Sequence, residues 1–331
     1  MAQHDSPIVR PDFNFASNLM AGIVAYYLSE DRPASVINLV QCISQGMLLC
    51  PGARLCVGNP SATICPLHNV WYNFLNLLIF HHNITLFMTF CLGMKLDSGL
   101  LAIADTRITS GTEFITARKL TIHQHNQHSL FLMTSGLRSV RDKAVTYFEE
   151  VLEEQSGNFD KLYKAVNAFS LQVRRVAEED GQALRNANIW FNLYAIVGGQ
   201  LENDKEHKLY MIYPEGNWIE STPASPYYVI GETGYGKPIL DRALHHTDTL
   251  PWALKVGYLA FDATRTSATD VGFPLDMVVY HKDTFRMTQY RFAREDFNEV
   301  SKWWQEWIRR GLDEIPAVWF DSIFSKLEGG V

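Results

Sequence analysis

The sequence predicts an α+β fold in which helices pack on antiparallel sheets. Three observations carry this reading. Short apolar runs come in pairs separated by tight turns. Two longer stretches place apolar residues three or four positions apart, the mark of a helix with one buried face. Strand runs and helix runs also fail to alternate one by one, as a doubly wound parallel fold requires.

Phe90–Leu96 is apolar and ends at Asp97-Ser98-Gly99, after which Leu100–Ala104 is apolar again. That is the pattern of a hairpin with a tight turn. Arg118–His123 and Ser129–Met133 read as a second strand pair around a polar, histidine-rich linker. A helix follows with Val140, Ala144, Tyr147, Val151 and Leu152 on one face. Ser156-Gly157-Asn158 breaks it, and a second helix carries Leu162, Val166, Phe169, Val173 and Val176. Ile189–Val197 is nearly all apolar and reads as a central strand. Tyr210–Tyr213 and Asn217–Glu220 flank the turn signal Pro214-Glu215-Gly216. Tyr228–Ile230 stops at Gly231, and a helix is expected over Tyr235–Leu244. The next helix starts at Pro251 with Thr249 in place to cap it. Leu275–Tyr280 and Met287–Phe292 form the last strand pair. A final helix carries Phe297, Val300, Trp304 and Trp307 and is expected to stop near Gly311.

The chain has 331 residues, 47% apolar and 20% charged, which suits a globular protein with a large core. Its formal charge of −7 argues against a nucleic-acid partner. The averages hide a division. Residues 1–88 hold only Asp5, Arg10, Asp12, Glu30, Asp31, Arg32 and Arg54 as charged side chains, and no lysine precedes Lys95. Cys42, Cys50, Cys56 and Cys65 also lie there, at spacings that match no zinc motif. Residues 1–88 therefore read as an N-terminal extension, and 89–331 as the working domain. The extension is either a leader that is removed or sequence upstream of a true start at Met88. Asn69–Met94 lacks charge, but its asparagines and histidines argue against a membrane span.

No phosphate loop, zinc helix or serine-hydrolase elbow is present. Gly231-Glu232-Thr233-Gly234-Tyr235-Gly236 is spaced as a tight strand-to-helix turn, not as a dinucleotide fingerprint. His123, His125 and His128 read as a solvated hairpin tip before they read as metal ligands, so no metal and no cofactor is expected. The informative residues are Thr89 at the start of the first strand, Asp105 and Arg107 after the second, and Lys119 further on. In isolation Asp105 and Lys119 read equally as a structural ion pair.

In combination these residues resemble proteasome-type β subunits, which are N-terminal-nucleophile hydrolases. The similarity is to the Anbu family of bacterial proteasome-like proteins. It is carried by Met88-Thr89 with Gly93, by Ala104-Asp105-Thr106-Arg107, by Arg118-Lys119-Leu120 and by Ile196-Val197-Gly198-Gly199-Gln200. Ile212–Asn217, Ile230–Thr233, Tyr235–Arg242, Gly272 and Pro274-Leu275-Asp276 complete the set. The resemblance covers about 89–331.

It implies a four-layer αββα sandwich and a threonine-type amide hydrolase acting on peptides or unfolded proteins. Thr89 is implied as nucleophile, with its own α-amine as base. Lys119 is implied as the cation beside that amine, Asp105 as the carboxylate holding the lysine, and Gly136 as the oxyanion donor. Arg107, Glu232, Ser267 and Asp270 are implied as supporting residues. Ala268 stands where the family pattern expects a polar side chain, and Glu232 where a serine is common. A catalytically silent assembly or scaffold protein is the alternative. A homo-oligomer is implied, Trp303, Trp304, Trp307 and Trp319 being compatible with one; no motif identifies an ATPase partner. Without 1–88 only Cys91 remains, which excludes an intrachain disulfide and fits the cytoplasm.

Overall fold

The computed structural model describes residues 89–110, 113–154, 159–317 and 323. The chain divides into two units, Met1–Phe74 and Leu75–Val331, and every described residue lies in the second. The N-terminal extension, its cysteines, Ser156–Asn158 and Trp319 lie outside the described residues.

The chain opens with β1 (Phe90–Leu96), β2 (Gly99–Asp105), β3 (Arg107–Ser110), β4 (Glu113–Thr116), β5 (Leu120–His125) and β6 (His128–Gly136). Helices α1 (Arg138–Glu154) and α2 (Leu162–Asn186) follow. Then come β7 (Leu193–Gln200), β8 (Lys208–Ile212), β9 (Trp218–Glu220) and β10 (Tyr227–Gly231). The last part holds α3 (Lys237–Ala243), α4 (Leu250–Ser267), β11 (Leu275–His281), β12 (Met287–Phe292) and α5 (Asn298–Asp313).

Two five-stranded antiparallel sheets form, in the orders β10-β1-β2-β11-β12 and β5-β6-β7-β8-β9. Alternation along the strands explains how they stack, because successive side chains point to opposite faces. Cys91, Leu100, Ala102 and Ala104 of the first sheet meet Phe131, Met133, Ile196 and Leu209 of the second in one buried cluster. Phe90, Leu92, Met94, Leu101 and Ile103 turn the other way, onto Ala253, Val256, Ala260 and Phe261 of α4. Leu130, Leu132, Ala195 and Val197 likewise turn onto Val140, Ala144 and Phe148 of α1 and onto Val166, Phe169 and Val173 of α2. The result is helix, sheet, sheet, helix. This is the expected four-layer αββα sandwich.

Several expected boundaries move. Strand β7 starts at Leu193, not Ile189, because Asn188 takes a left-handed turn (φ 57°) after α2. Ile189 and Trp190 stay exposed in that loop. Helix α5 continues through Gly311 to Asp313. The β3–β4 hairpin was not foreseen from the sequence. Thr249 does cap α4, accepting from the Trp252 N–H at 3.4 Å. Among the described residues no helix is long and apolar enough to cross a membrane.

The layer order makes a stability prediction. Phe131 is fully buried between the sheets, whereas Leu171 is 57% exposed on α2. Phe131→Ala should destabilise by about 3–5 kcal/mol and Leu171→Ala by about 0.5 kcal/mol or less, read from urea-unfolding midpoints.

Candidate active site

The ends of four strands and two loops converge on Asp105. This residue closes β2, opposite Leu275 of β11, and is fully buried. A buried carboxylate must be supplied with donors, and here they come from three directions. Oδ1 accepts from the Lys119 Nζ at 2.7 Å, the Phe90 N–H at 2.8 Å and the Thr89 hydroxyl at 3.0 Å. Oδ2 faces the Gly272 N–H at 3.4 Å. Lys119 is itself buried and gives a second bond, at 2.6 Å, to the Arg107 carbonyl. One carboxylate oxygen thus gathers the three residues named from the sequence as nucleophile, carboxylate and cation.

The backbone around Thr89 explains why glycines flank it. Gly231 pairs with Phe90 across β1 and β10 and has φ 91°. A Cβ there would lie 2.0 Å from the Thr89 carbonyl oxygen, so no other residue fits without moving Thr89. The next residue holds Thr89 through its main chain: the Glu232 N–H donates to the Thr89 carbonyl at 2.6 Å. The Glu232 side chain turns back instead and accepts from the Gly234 N–H at 2.9 Å.

Gly136 ends β6 with φ 136°, and a Cβ would lie 2.1 Å from the Asn192 carbonyl oxygen. The Leu137 N–H donates to Asn192 O, and the Thr134 N–H donates to Lys119 O. Antiparallel ladders alternate bonded and non-bonded pairs. Gly136 therefore directs its N–H away from β7, to the side on which Thr134 meets Lys119. Arg141 of α1 braces this corner, with Nε on Thr134 Oγ1 at 3.0 Å and Nη2 on the Arg118 carbonyl.

The supporting residues divide. Arg107 donates to the Thr269 carbonyl at 2.9 Å and lies against Gly272, where a Cβ would come within 2.9 Å of its Nε. It ties β3 to the loop after α4. Ser267 is the exposed last residue of α4, Asp270 is half-buried, and Ala268 between them is buried. Among the described residues neither the Ser267 nor the Asp270 side chain joins the hydrogen bonds around Thr89. The sequence reading included Thr106 and Pro274 in its motifs but gave them no role. The Thr106 hydroxyl and N–H both donate to the Pro274 carbonyl, at 2.7 and 3.0 Å. A carbonyl carries no side-chain signal, so no motif announced this clamp.

Burial pushes the Asp105 carboxyl above the ordinary carboxylate range, and the Lys119 ammonium is the largest influence pulling it back. Cys91, the neighbouring nucleophile by type, is pushed up to about 12, chiefly by burial, which leaves an inert thiol. His123 sits under Phe148 with its ring edge-on at 6.1 Å. Among the described residues no group of His, Cys, Asp and Glu is placed to hold a metal.

The raised Asp105 fixes the sign of a pH effect. Its folded value lies above the unfolded one, so the folded state binds this proton more tightly. Stability from this group is therefore fullest in acid and falls as pH rises through the folded value. Removing Lys119 raises Asp105 further. Lys119→Met should destabilise by about 3–5 kcal/mol near neutral pH and by less as pH falls, because protonating the unpaired carboxyl removes its uncompensated charge. Urea midpoints at neutral and acid pH test this, and an equal loss at both would sever the coupling.

Neither a family model nor a curated protein sequence matches the chain. Solved structures do. A Gly-1 mutant of Anbu from Hyphomicrobium sp. strain MC1 is 32% identical, with a TM-score of 0.63 over 69% of this chain and 99% of that one. Anbu, described as ancestral beta-subunit, from Yersinia bercovieri is 31% identical, with 0.64 over 69% and 98%. Anbu from Pseudomonas aeruginosa, solved as a helical assembly, is 30% identical, with 0.65 over 69% and 97%. Fold, identity and near-complete coverage of these relatives agree: the chain belongs to the Anbu family of proteasome-like proteins.

Proposed function

We propose that residues 89–331 are a threonine-type N-terminal-nucleophile hydrolase that cleaves amide bonds in peptides or unfolded proteins. The observation that carries this is the shared Asp105 oxygen, which brings the Thr89 hydroxyl and the Lys119 ammonium together in a buried site. A threonine hydroxyl is a weak nucleophile and needs a base. The α-amine of Thr89, with an unperturbed pKa of about 7.7–8.0, can take and return a proton near neutrality. A nearby ammonium disfavours its protonated form and keeps more of it as the free amine, able to accept a proton.

The steps balance on the chain's own groups. Thr89 Oγ bonds to the substrate carbonyl carbon while its proton passes to the α-amine. The carbonyl oxygen becomes an oxyanion facing the Gly136 N–H, where a fixed donor favours developing charge. The amine then protonates the leaving nitrogen, the C–N bond breaks, and an ester to Thr89 remains. Water attacks the ester carbon and gives a proton to the amine; the C–Oγ bond then breaks, the amine returns that proton to Thr89 Oγ, and the acid leaves.

This chemistry needs Thr89 as the first residue. Met88 precedes it, so initiation at Met88 followed by methionine removal yields the required terminus. We place the mature domain at 89–331 on that ground, in the cytoplasm. Self-assembly is supported by the helical assembly of the Pseudomonas aeruginosa relative. A second reading, a catalytically silent assembly protein, is favoured by one observation: Ser267 and Asp270 do not engage the Thr89 cluster.

Two measurements separate the readings. Intact mass of protein from the native source should show Thr89 as the first residue. Protein expressed from Met88 should hydrolyse members of a peptide and amide panel, and Thr89→Ala should reduce turnover to background. A native species retaining residues 1–88 would sink the hydrolase reading, as would Thr89→Ala turnover equal to that of the parent. Assembly with no turnover on any substrate would favour the silent one.

A further inference from the structure

The loop between α4 and β11 supplies two of the backbone contacts at the site, Gly272 N–H to Asp105 and Thr269 O to Arg107. Its third anchor, Phe273, is aromatic and packs against the core cluster that includes α4. Phe273 packs edge-on against Phe261 of α4 at 5.2 Å, and Phe261 packs on Phe90 of β1 at 5.9 Å. On its other side lies Phe297, 6.0 Å away and nearly parallel at 26°. Phe297 is the residue that leads into α5, and it also stacks on Tyr258 of α4 at 4.1 Å.

A polar cluster fastens the same place. Ser301 is the buried residue of α5 among those described. Its hydroxyl donates to Asp262 at 2.8 Å and accepts from the Arg265 guanidinium at 2.9 Å. Tyr258 meets the same hydroxyl at 2.9 Å. Arg265 bonds Asp262 through Nε at 2.9 Å and lies over the Phe273 ring at 5.4 Å. A single guanidinium thus touches the root of α5 and the loop that faces Asp105. Along the rest of α5, Trp304 is half-buried, whereas Trp303, Trp307, Ile308 and Leu312 are all exposed. A helix that buries one residue through a charged, fully bonded cluster is attached at a chosen point.

We infer that the root of α5, Phe297 and Ser301, is a positioning element for the Thr89 site. It acts through Arg265 and Phe273 to hold the Gly272 N–H on the second oxygen of Asp105. The inference rests on the proposed reading of that site, but its structural half can be tested without any turnover. Neither residue touches Thr89, Asp105 or Lys119, so neither is catalytic in itself.

Phe297→Ala removes the stack and Ser301→Ala the hydrogen bonds; Phe297→Tyr keeps the ring and serves as the conservative control. Hydrogen exchange in the full chain, read by mass spectrometry, compares the segment 268–274 with the buried strand segment 130–133. The two alanine variants should speed exchange at 268–274 about tenfold and leave 130–133 unchanged, while Phe297→Tyr should behave like the parent. In protein expressed from Met88, kcat should fall about tenfold with KM nearly unchanged, because the effect is on the reacting groups and not on substrate binding. Unchanged exchange at 268–274 in both variants would overturn the inference. Faster exchange everywhere would overturn it too, since it would mark general loss of stability. If the parent shows no turnover, the hydrolase reading fails while the exchange experiment still decides the role of α5.

Discussion

A carboxylate with no exposed surface can keep its charge only if the protein brings donors to it, and Asp105 imposes that demand on the surrounding fold. Its donors are the hydroxyl before β1, the first amide of β1, the lysine before β5 and the amide after α4. These lie 14 to 167 residues away in sequence. The two sheets must therefore be stacked, with their ends in register, before the cluster can close. Burial raises the Asp105 carboxyl and Lys119 opposes that rise. The pair is thus mutually dependent: an unpaired buried charge of either sign is far more costly than the pair. This is a statement about why the residues stay together, and it holds whether or not the site turns substrate over.

The sandwich supplies the precision that the cluster needs. Leu92 and Met94 face the helices while Cys91 faces the opposite sheet, so the strand carrying Thr89 is held from both sides. A one-residue slip in β1 would turn that whole pattern inside out. The two glycines at the site relieve the remaining crowding. Gly231 lets β10 approach the Thr89 carbonyl, and Gly136 lets β6 turn beside Asn192. Both positions combine left-handed φ with a backbone oxygen about 2 Å from where a side chain would begin. Geometry around Thr89 is therefore set in good part by main chain, which is stiffer than side chains.

The parts legible in the sequence were those with a local cause. Period-two and period-3.6 patterns placed most strands and helices, and the turn residues at Asp97-Ser98-Gly99 and Pro214-Glu215-Gly216 placed two reversals. The strand expected over Ile189–Val197 was started too early because apolar residues at its beginning suggested burial, whereas the chain stays in a loop after the left-handed Asn188 until Leu193. Gly311 suggested a helix end, yet nothing packs near it, and α5 runs on. At the site, Thr89, Asp105 and Lys119 were visible as side chains at recognisable spacings. The Pro274 and Arg107 carbonyls and the Gly272 amide were not, because every residue has a backbone and only the fold decides which one faces a carboxylate. Glu232 illustrates the same limit: its contact with Thr89 is made by its amide and not by its carboxylate.

On the proposed reading, the geometry also discriminates between two bases for Thr89. The hydroxyl donates directly to Asp105, and a carboxylate raised by burial is a stronger base than an ordinary one. Yet that oxygen already receives the Lys119 ammonium and the Phe90 amide. A proton moved onto it would displace the lysine, leaving a buried cation without its counter-charge, a cost of several kcal/mol at the moment of attack. A terminal amine can accept the same proton while the Asp105–Lys119 pair stays intact. It also titrates close to neutrality, where a base can both take and return a proton. The cluster is then best understood as a fixed electrostatic frame. Asp105 orients the hydroxyl and holds the cation, the cation keeps the amine unprotonated, and the proton travels within Thr89 alone. That division of labour is why residue 88 must be absent for chemistry.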